Sequence, residues 1–185
     1  MKNGKDYIIF ALDVPAFSEA REYIRELSGH VAMYKIGLEL FVRSGPEIIH
    51  YIRDLGKAGI FLDLKLYDIP ATVSRTMKVI AEMGVDLATV HCGESDDILS
   101  AAVSGSSGNV GVLGVTVLTS ISKKDLSAAG FEEKYGSDPG LLVLKRAEAA
   151  KKAGCTGVVC SGHEVSAVKE KFGMNFLAVT PGIRP

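Results

Sequence analysis

The chain has 185 residues, 47% of them hydrophobic, enough to bury one sizeable core and to read as a single domain over 1–185. Its 21 Lys and Arg against 22 Asp and Glu leave a formal net charge of -1, which removes any electrostatic case for nucleic acid or an anionic membrane as the main partner. The N-terminal MKNGKDY is polar, and no apolar run approaches the roughly 18 residues of a membrane span, so a soluble, cytoplasmic protein is expected.

In chain order, short apolar and β-branched runs alternate with segments of helical spacing. The strand candidates are 7–12, 31–36, 60–66, 87–91, 110–117, 157–161 and 176–180. The helix candidates are 19–28 capped by Ser18, then 45–58, 72–83, 96–102, 141–153 and 164–172. Gly59, Gly84 and Gly154 follow helices, where a left-handed cap favours glycine. The stretch 119–140 is long for a connection between strand and helix and reads as a loop able to cover a bound ligand.

Strands apolar on both faces and separated by helices indicate a parallel sheet covered by helices. A β/α barrel is the expected architecture. A doubly wound sheet is the alternative, but no G-x-G-x-x-G follows the first strand. Polar groups at the strand ends favour the barrel: Asp13, Lys35, Asp63 with Lys65, His91, Thr119, Ser161 and Arg184. Barrels carry their chemistry on that face, contributed by several strands. Seven strands are counted, and a closed eight-stranded barrel of about 250 residues needs another strand and helix. The expectation is that the natural domain continues beyond Pro185.

Cys92, Cys155 and Cys160 form neither a CxxC pair nor a zinc set, and read as buried thiols. Ser161 and Cys160 have no adjacent base and are not read as nucleophiles. His91 is either a structural histidine or a group near the ligand. No metal ligand set is expected.

Strand alternation places Asp63 and Lys65 on one face, with Phe61 continuing it toward the barrel bottom and Leu62, Leu64 and Leu66 facing the helices. A carboxylate and an ammonium in a barrel mouth are costly to bury for structure alone. Unit charges about 4 Å apart interact by roughly 4 kcal/mol at an effective dielectric near 20. A lysine held between carboxylates is favoured as an ammonium, ready to act as a general acid. Taken alone, the same pair can also be an ordinary ion pair at a strand end.

The surrounding residues extend this motif. Asp63-x-Lys65-x-x-Asp68 with Ile69-Pro70-x-Thr72 closely resembles the signature of the orotidine 5′-monophosphate decarboxylase family. ALD at 11–13, KIG at 35–37, TVH at 89–91, VTVLTS at 115–120 and TPGIRP at 180–185 carry the resemblance along the chain. The resemblance implies cofactor-free, metal-independent decarboxylation of orotidine 5′-monophosphate to uridine 5′-monophosphate in de novo pyrimidine biosynthesis. By the same resemblance, Lys65 protonates pyrimidine C6 and Asp63 sits beside the departing carboxylate. Asp13 and Lys35 match residues at the ribose, with Lys35 also in the charged network. Thr119 matches a group at the pyrimidine edge, and Arg184 a residue near the phosphate. Ile69, Pro70 and Pro181 lie within the matching motifs and are expected to line the substrate. Asp68 and Thr72 match residues that reach into a neighbouring subunit's site, which implies a homodimer. The family's phosphate grip includes a glycine–arginine pair after strand eight, so a chain ending at Pro185 is expected to hold the acid–base centre with severely reduced activity.

Two other readings stay open. Magnesium-dependent sugar-phosphate decarboxylases and aldolases of the same suprafamily share D-x-K-x-x-D, but hold the metal partly by an acidic residue where this chain has Lys35. A non-catalytic barrel that binds without turnover is the second, since fold alone does not fix function.

Overall fold

The computed structural model describes residues 3–93 and 95–183. After a 3-10 turn at Gly4–Tyr7 the elements run β1 (Ile9–Ala11), α1 (Phe17–Glu26), β2 (Met33–Gly37), α2 (Leu38–Ser44), α3 (Glu47–Leu55), β3 (Gly59–Leu66) and α4 (Pro70–Glu82). They continue through β4 (Leu87–His91), α5 (Asp96–Ser106), β5 (Gly111–Val115), α6 (Lys123–Ala128), α7 (Glu133–Ser137), α8 (Pro139–Lys152), β6 (Gly157–Val159), α9 (Val165–Phe172) and β7 (Leu177–Val179).

The seven strands pair in parallel and in chain order, β1 to β7. A doubly wound sheet reverses direction at a switch point, and this one does not. The winding is that of a TIM barrel. Its apolar residues divide into two layers. One inner cluster takes a single residue from each strand: Ile9, Met33, Phe61, Leu87, Leu113, Val159 and Val179. Such a ring is a layer of barrel interior. The alternate residues Leu62, Ala88, Val112 and Val158 face outward into the larger cluster with Ile52, Met77, Leu99 and Ala147 of the helices. Phe61 thus fills the bottom of the face that carries Asp63 at its top.

Several boundaries differ from the sequence reading. α1 begins at Phe17 behind Ala16, which makes no side-chain cap, so Ser18 lies inside the helix. Gly59 opens β3, and the left-handed cap of α3 is Gly56 at φ 65°. α2 was not expected at all. The presumed loop 119–140 holds two short helices, α6 and α7, and the start of α8. Ser122 and Asp125 form a reciprocal capping box on α6, and Leu126 and Tyr135 pack with Leu142 of α8. The segment is a small helical layer with its own apolar seam.

α4 and α5 approach closely through Gly105, where a Cβ would overlap the Ser74 carbonyl oxygen and meet the Met77 Cβ at 3.0 Å. Alanine improves helix propensity by at most about 1 kcal/mol, whereas forced overlap with backbone costs about 1–3 kcal/mol. Gly105→Ala is therefore expected to destabilise the fold by about 1–2 kcal/mol. A lower urea midpoint at unchanged slope is the measurement that checks it.

Candidate active site

The strand ends bring four charges into one row. Lys35 of β2 donates from Nζ to Asp13 Oδ1 at 2.8 Å, just past β1. The same ammonium stands 3.8 Å from Asp63 Oδ2 on β3. Lys65 Nζ donates to that Oδ2 at 2.8 Å. Burial is graded along the row: the Asp13 side chain is 69% exposed, Lys35 19%, Asp63 11% and Lys65 36%. The Asp13 end is therefore screened by water and contributes little to stability. Asp63 is the desolvated member, and two ammonium groups and a hydroxyl offset its cost of burial.

Gly37 faces Asp63 across the β2–β3 ladder. A Cβ there would lie 3.3 Å from Lys35 Nζ and 3.4 Å from Asp13 Oδ1, so the glycine leaves room for the row.

The Asp63–Lys65 contact does not arise from regular strand alternation. The β3–β4 register pairs Leu62 with Ala88 and Leu66 with Val90, a bulge on β3. Lys65 occupies the left-handed region at φ 53°. For a residue other than glycine that conformation costs on the order of 1–3 kcal/mol. The Lys65 N–H donates to Thr89 Oγ1 at 2.9 Å, and the same hydroxyl donates to Asp63 Oδ1 at 3.0 Å. Thr89 is 1% exposed. Within the sequence it was only part of a short motif; its inward parity with Leu87 and His91 on β4 is the signal that points to it.

His91 ends β4 with its ring 5.7 Å from that of Tyr67, in an edge-on arrangement at 72°. Burial pushes the imidazole below its ordinary value, the nearby Arg146 and Lys65 cations push the same way, and Asp63 opposes them. Gly93 leaves room for Tyr67, since a Cβ there would lie 2.5 Å from the phenol ring. Tyr67 thus lies over the end of β4, packed on His91.

The other expected residues are placed as follows. Asp68 is exposed, and its Oδ1 accepts the Ile69 N–H at 2.7 Å. Among the described residues no ion pair joins Asp68 to Lys65. Ile69 is 66% exposed, Pro70 opens α4 at its first position, and Thr72 stands in the first turn. Thr119 and Pro181 are exposed, beyond β5 and β7. Arg184 lies outside the described residues. Ser161 serves its own turn: its N–H donates to Glu164 Oε2 at 2.6 Å and its hydroxyl accepts from His163 N–H at 3.3 Å. The three thiols are buried, Cys92 and Cys155 pushed up to about 12 and Cys160 to about 11, mainly by desolvation. They stay protonated at neutral pH and are poor nucleophiles.

An ammonium carries three donors. Anchored by one carboxylate on a strained backbone and still partly open to the barrel mouth, Lys65 has the placement of a proton donor.

A family model described as "Orotidine 5'-phosphate decarboxylase / HUMPS family" matches residues 6–185. A protein of Desulfosudis oleivorans named orotidine 5′-phosphate decarboxylase is 61% identical, over 98% of this chain and 73% of its own. One of that name from Methylococcus capsulatus is 41% identical over 97% of this chain and 72% of its own. The crystal structure of orotidine 5′-phosphate decarboxylase from Lactobacillus acidophilus superposes with a TM-score of 0.85 at 34% identity, covering 96% of this chain and 81% of that one.

Proposed function

The chain belongs to the orotidine 5′-phosphate decarboxylase / HUMPS family, and on that premise we propose that it decarboxylates orotidine 5′-monophosphate to uridine 5′-monophosphate in the cytoplasm. The observation that carries the reading is the row Asp13–Lys35–Asp63–Lys65 across three adjacent strand ends. The bond from pyrimidine C6 to the carboxylate breaks as carbon dioxide leaves, and electron density collects on C6. The Lys65 ammonium stabilises that charge and delivers its proton, forming the C6–H bond; solvent then reprotonates the lysine. Asp63 holds Lys65 in place beside the departing carboxylate. Asp13 and Lys35 take the ribose hydroxyls, and Thr119, Pro181 and Arg184 the pyrimidine edge and phosphate side. Binding of the remote phosphate and ribose supplies the energy for positioning.

The charge pattern favours this over a magnesium-dependent reaction on a sugar phosphate. The β2 position next to the row is Lys35, whose ammonium hydrogen-bonds Asp13 and approaches Asp63. A cation there repels Mg²⁺ and occupies the carboxylates it would need. Loss of orotidine 5′-monophosphate absorbance is expected to proceed at the same rate with and without EDTA. Activity abolished by the chelator and restored by magnesium would overturn the cofactor-free mechanism.

A further inference from the structure

We propose that Thr89 is a positioning residue for the proposed decarboxylation: its hydroxyl holds the Lys65 backbone and the Asp63 carboxylate in one geometry. The inference rests on the functional reading above and deepens it.

Thr89 stands opposite the bulge. The ladder pairs Leu62 with Ala88 and Leu66 with Val90, leaving Asp63, Leu64 and Lys65 across from a single β4 residue. A regular parallel ladder would give the Lys65 N–H a backbone acceptor. Here it turns to Thr89 Oγ1 at 2.9 Å. That acceptance fixes the direction of the second bond, since an ionised carboxylate can only accept. The Thr89 hydroxyl hydrogen therefore goes to Asp63 Oδ1 at 3.0 Å, which leaves Oδ2 for Lys65 at 2.8 Å and Lys35 at 3.8 Å. One buried hydroxyl thus fixes the lysine's main chain and the rotamer of the carboxylate that grips its side chain.

Charge alone does not fix these positions. Lys65 has a long flexible side chain and a φ of 53°, a conformation that lysine adopts only when its surroundings impose it. Without the hydroxyl, the Lys65 N–H lies buried beside a methyl group, and relaxing the bulge carries Nζ away from C6. A misplacement of about 1 Å at a reacting centre costs about a hundredfold in rate.

Valine keeps the shape of threonine and removes both hydrogen bonds; serine keeps the hydroxyl. Thr89→Val is expected to lower kcat for orotidine 5′-monophosphate by about 30- to 100-fold with KM changed less than about threefold, because the lost contacts position the proton donor rather than bind substrate. Thr89→Ser is expected to stay within about threefold of wild type. A substrate-free measurement runs beside these: amide hydrogen exchange at Lys65, slow in wild type and serine, at least about tenfold faster in valine. Should Thr89→Val fail to fold, Thr89→Ala carries the same expectations. Valine within twofold of wild type in kcat, serine as impaired as valine, or unchanged exchange at Lys65 each overturns the assignment. A chain extended through strand eight that is inactive on orotidine 5′-monophosphate overturns the functional reading instead, and the exchange rates still decide whether Thr89 holds Lys65.

Discussion

Replacing Lys65 by alanine is expected to lower kcat for orotidine 5′-monophosphate by at least about four orders of magnitude, equivalent to about 5 kcal/mol of barrier. Two separate contributions disappear with the side chain. A preorganised ammonium beside a developing carbanion supplies electrostatic stabilisation that water in a filled site does not replace. On the proposed mechanism the proton donor is lost as well, and general acid catalysis alone accounts for about two to four orders of magnitude. Lys65→Arg separates the two. Arginine keeps the positive charge but holds its proton far too tightly to release it near neutral pH, and its planar fork does not match the compact ammonium gripped by Asp63. It is expected to recover less than about a hundredth of wild-type kcat. The assay is the fall in orotidine 5′-monophosphate absorbance, with circular dichroism confirming that each variant is folded. Alanine within about tenfold of wild type would remove Lys65 from the chemistry.

The row of charges was legible in the sequence as residues at strand ends, but not as a geometry. Asp63, Lys65, Lys35 and Asp13 could be placed at strand ends because hydrophobic runs give strand positions and barrels put polar groups at one face. The left-handed backbone of Lys65 could not be read, because lysine has no local preference for it. It arises from the mismatch between two strands, visible only once β3 and β4 are paired. Thr89 was overlooked for the same reason: its importance lies in facing a bulge. Gly37, within KIG, makes space for side chains that approach from other strands.

Among the elements, β4 was read to the residue, since LATVH is a short, largely apolar run bounded by Asp86 and Gly93. α2 was missed because Gly37 leads from strand to helix with no side-chain cap, and its seven residues are too few for a helical period to stand out. Leu38 and Val42 are also exposed, so the helix lacks the usual apolar-in pattern. The helices of 119–140 did carry signals, the Ser122–Asp125 box and Asp138 before Pro139, but expecting a covering loop obscured them.

Two inactive variants are expected to restore each other. If Asp68 completes the neighbouring subunit's site, Lys65→Ala and Asp68→Ala proteins are each inactive alone, yet a mixed dimer holds one site with Lys65 from one subunit and Asp68 from the other. Its second site lacks both. Free exchange at equal concentrations makes about half the dimers mixed, and one of two sites in each is intact, so activity should approach about a quarter of wild type. The placement of Asp68 motivates the proposal: it is exposed, lies outside the Lys65–Asp63 pair, and sits between β3 and α4. Exposed apolar side chains also occur on α2 and at the start of α4. Ile69 is 66% exposed, and Leu38 and Val42, one helical turn apart on α2, are 59% and 75% exposed. Burying such side chains against a second copy would be favourable by about 25 cal/mol per Å² of apolar surface. The decarboxylation rate is followed after mixing, with native mass spectrometry reporting subunit exchange. Complete exchange without recovered activity would mean that each subunit builds its site alone, and that Asp68 supports only its own α4.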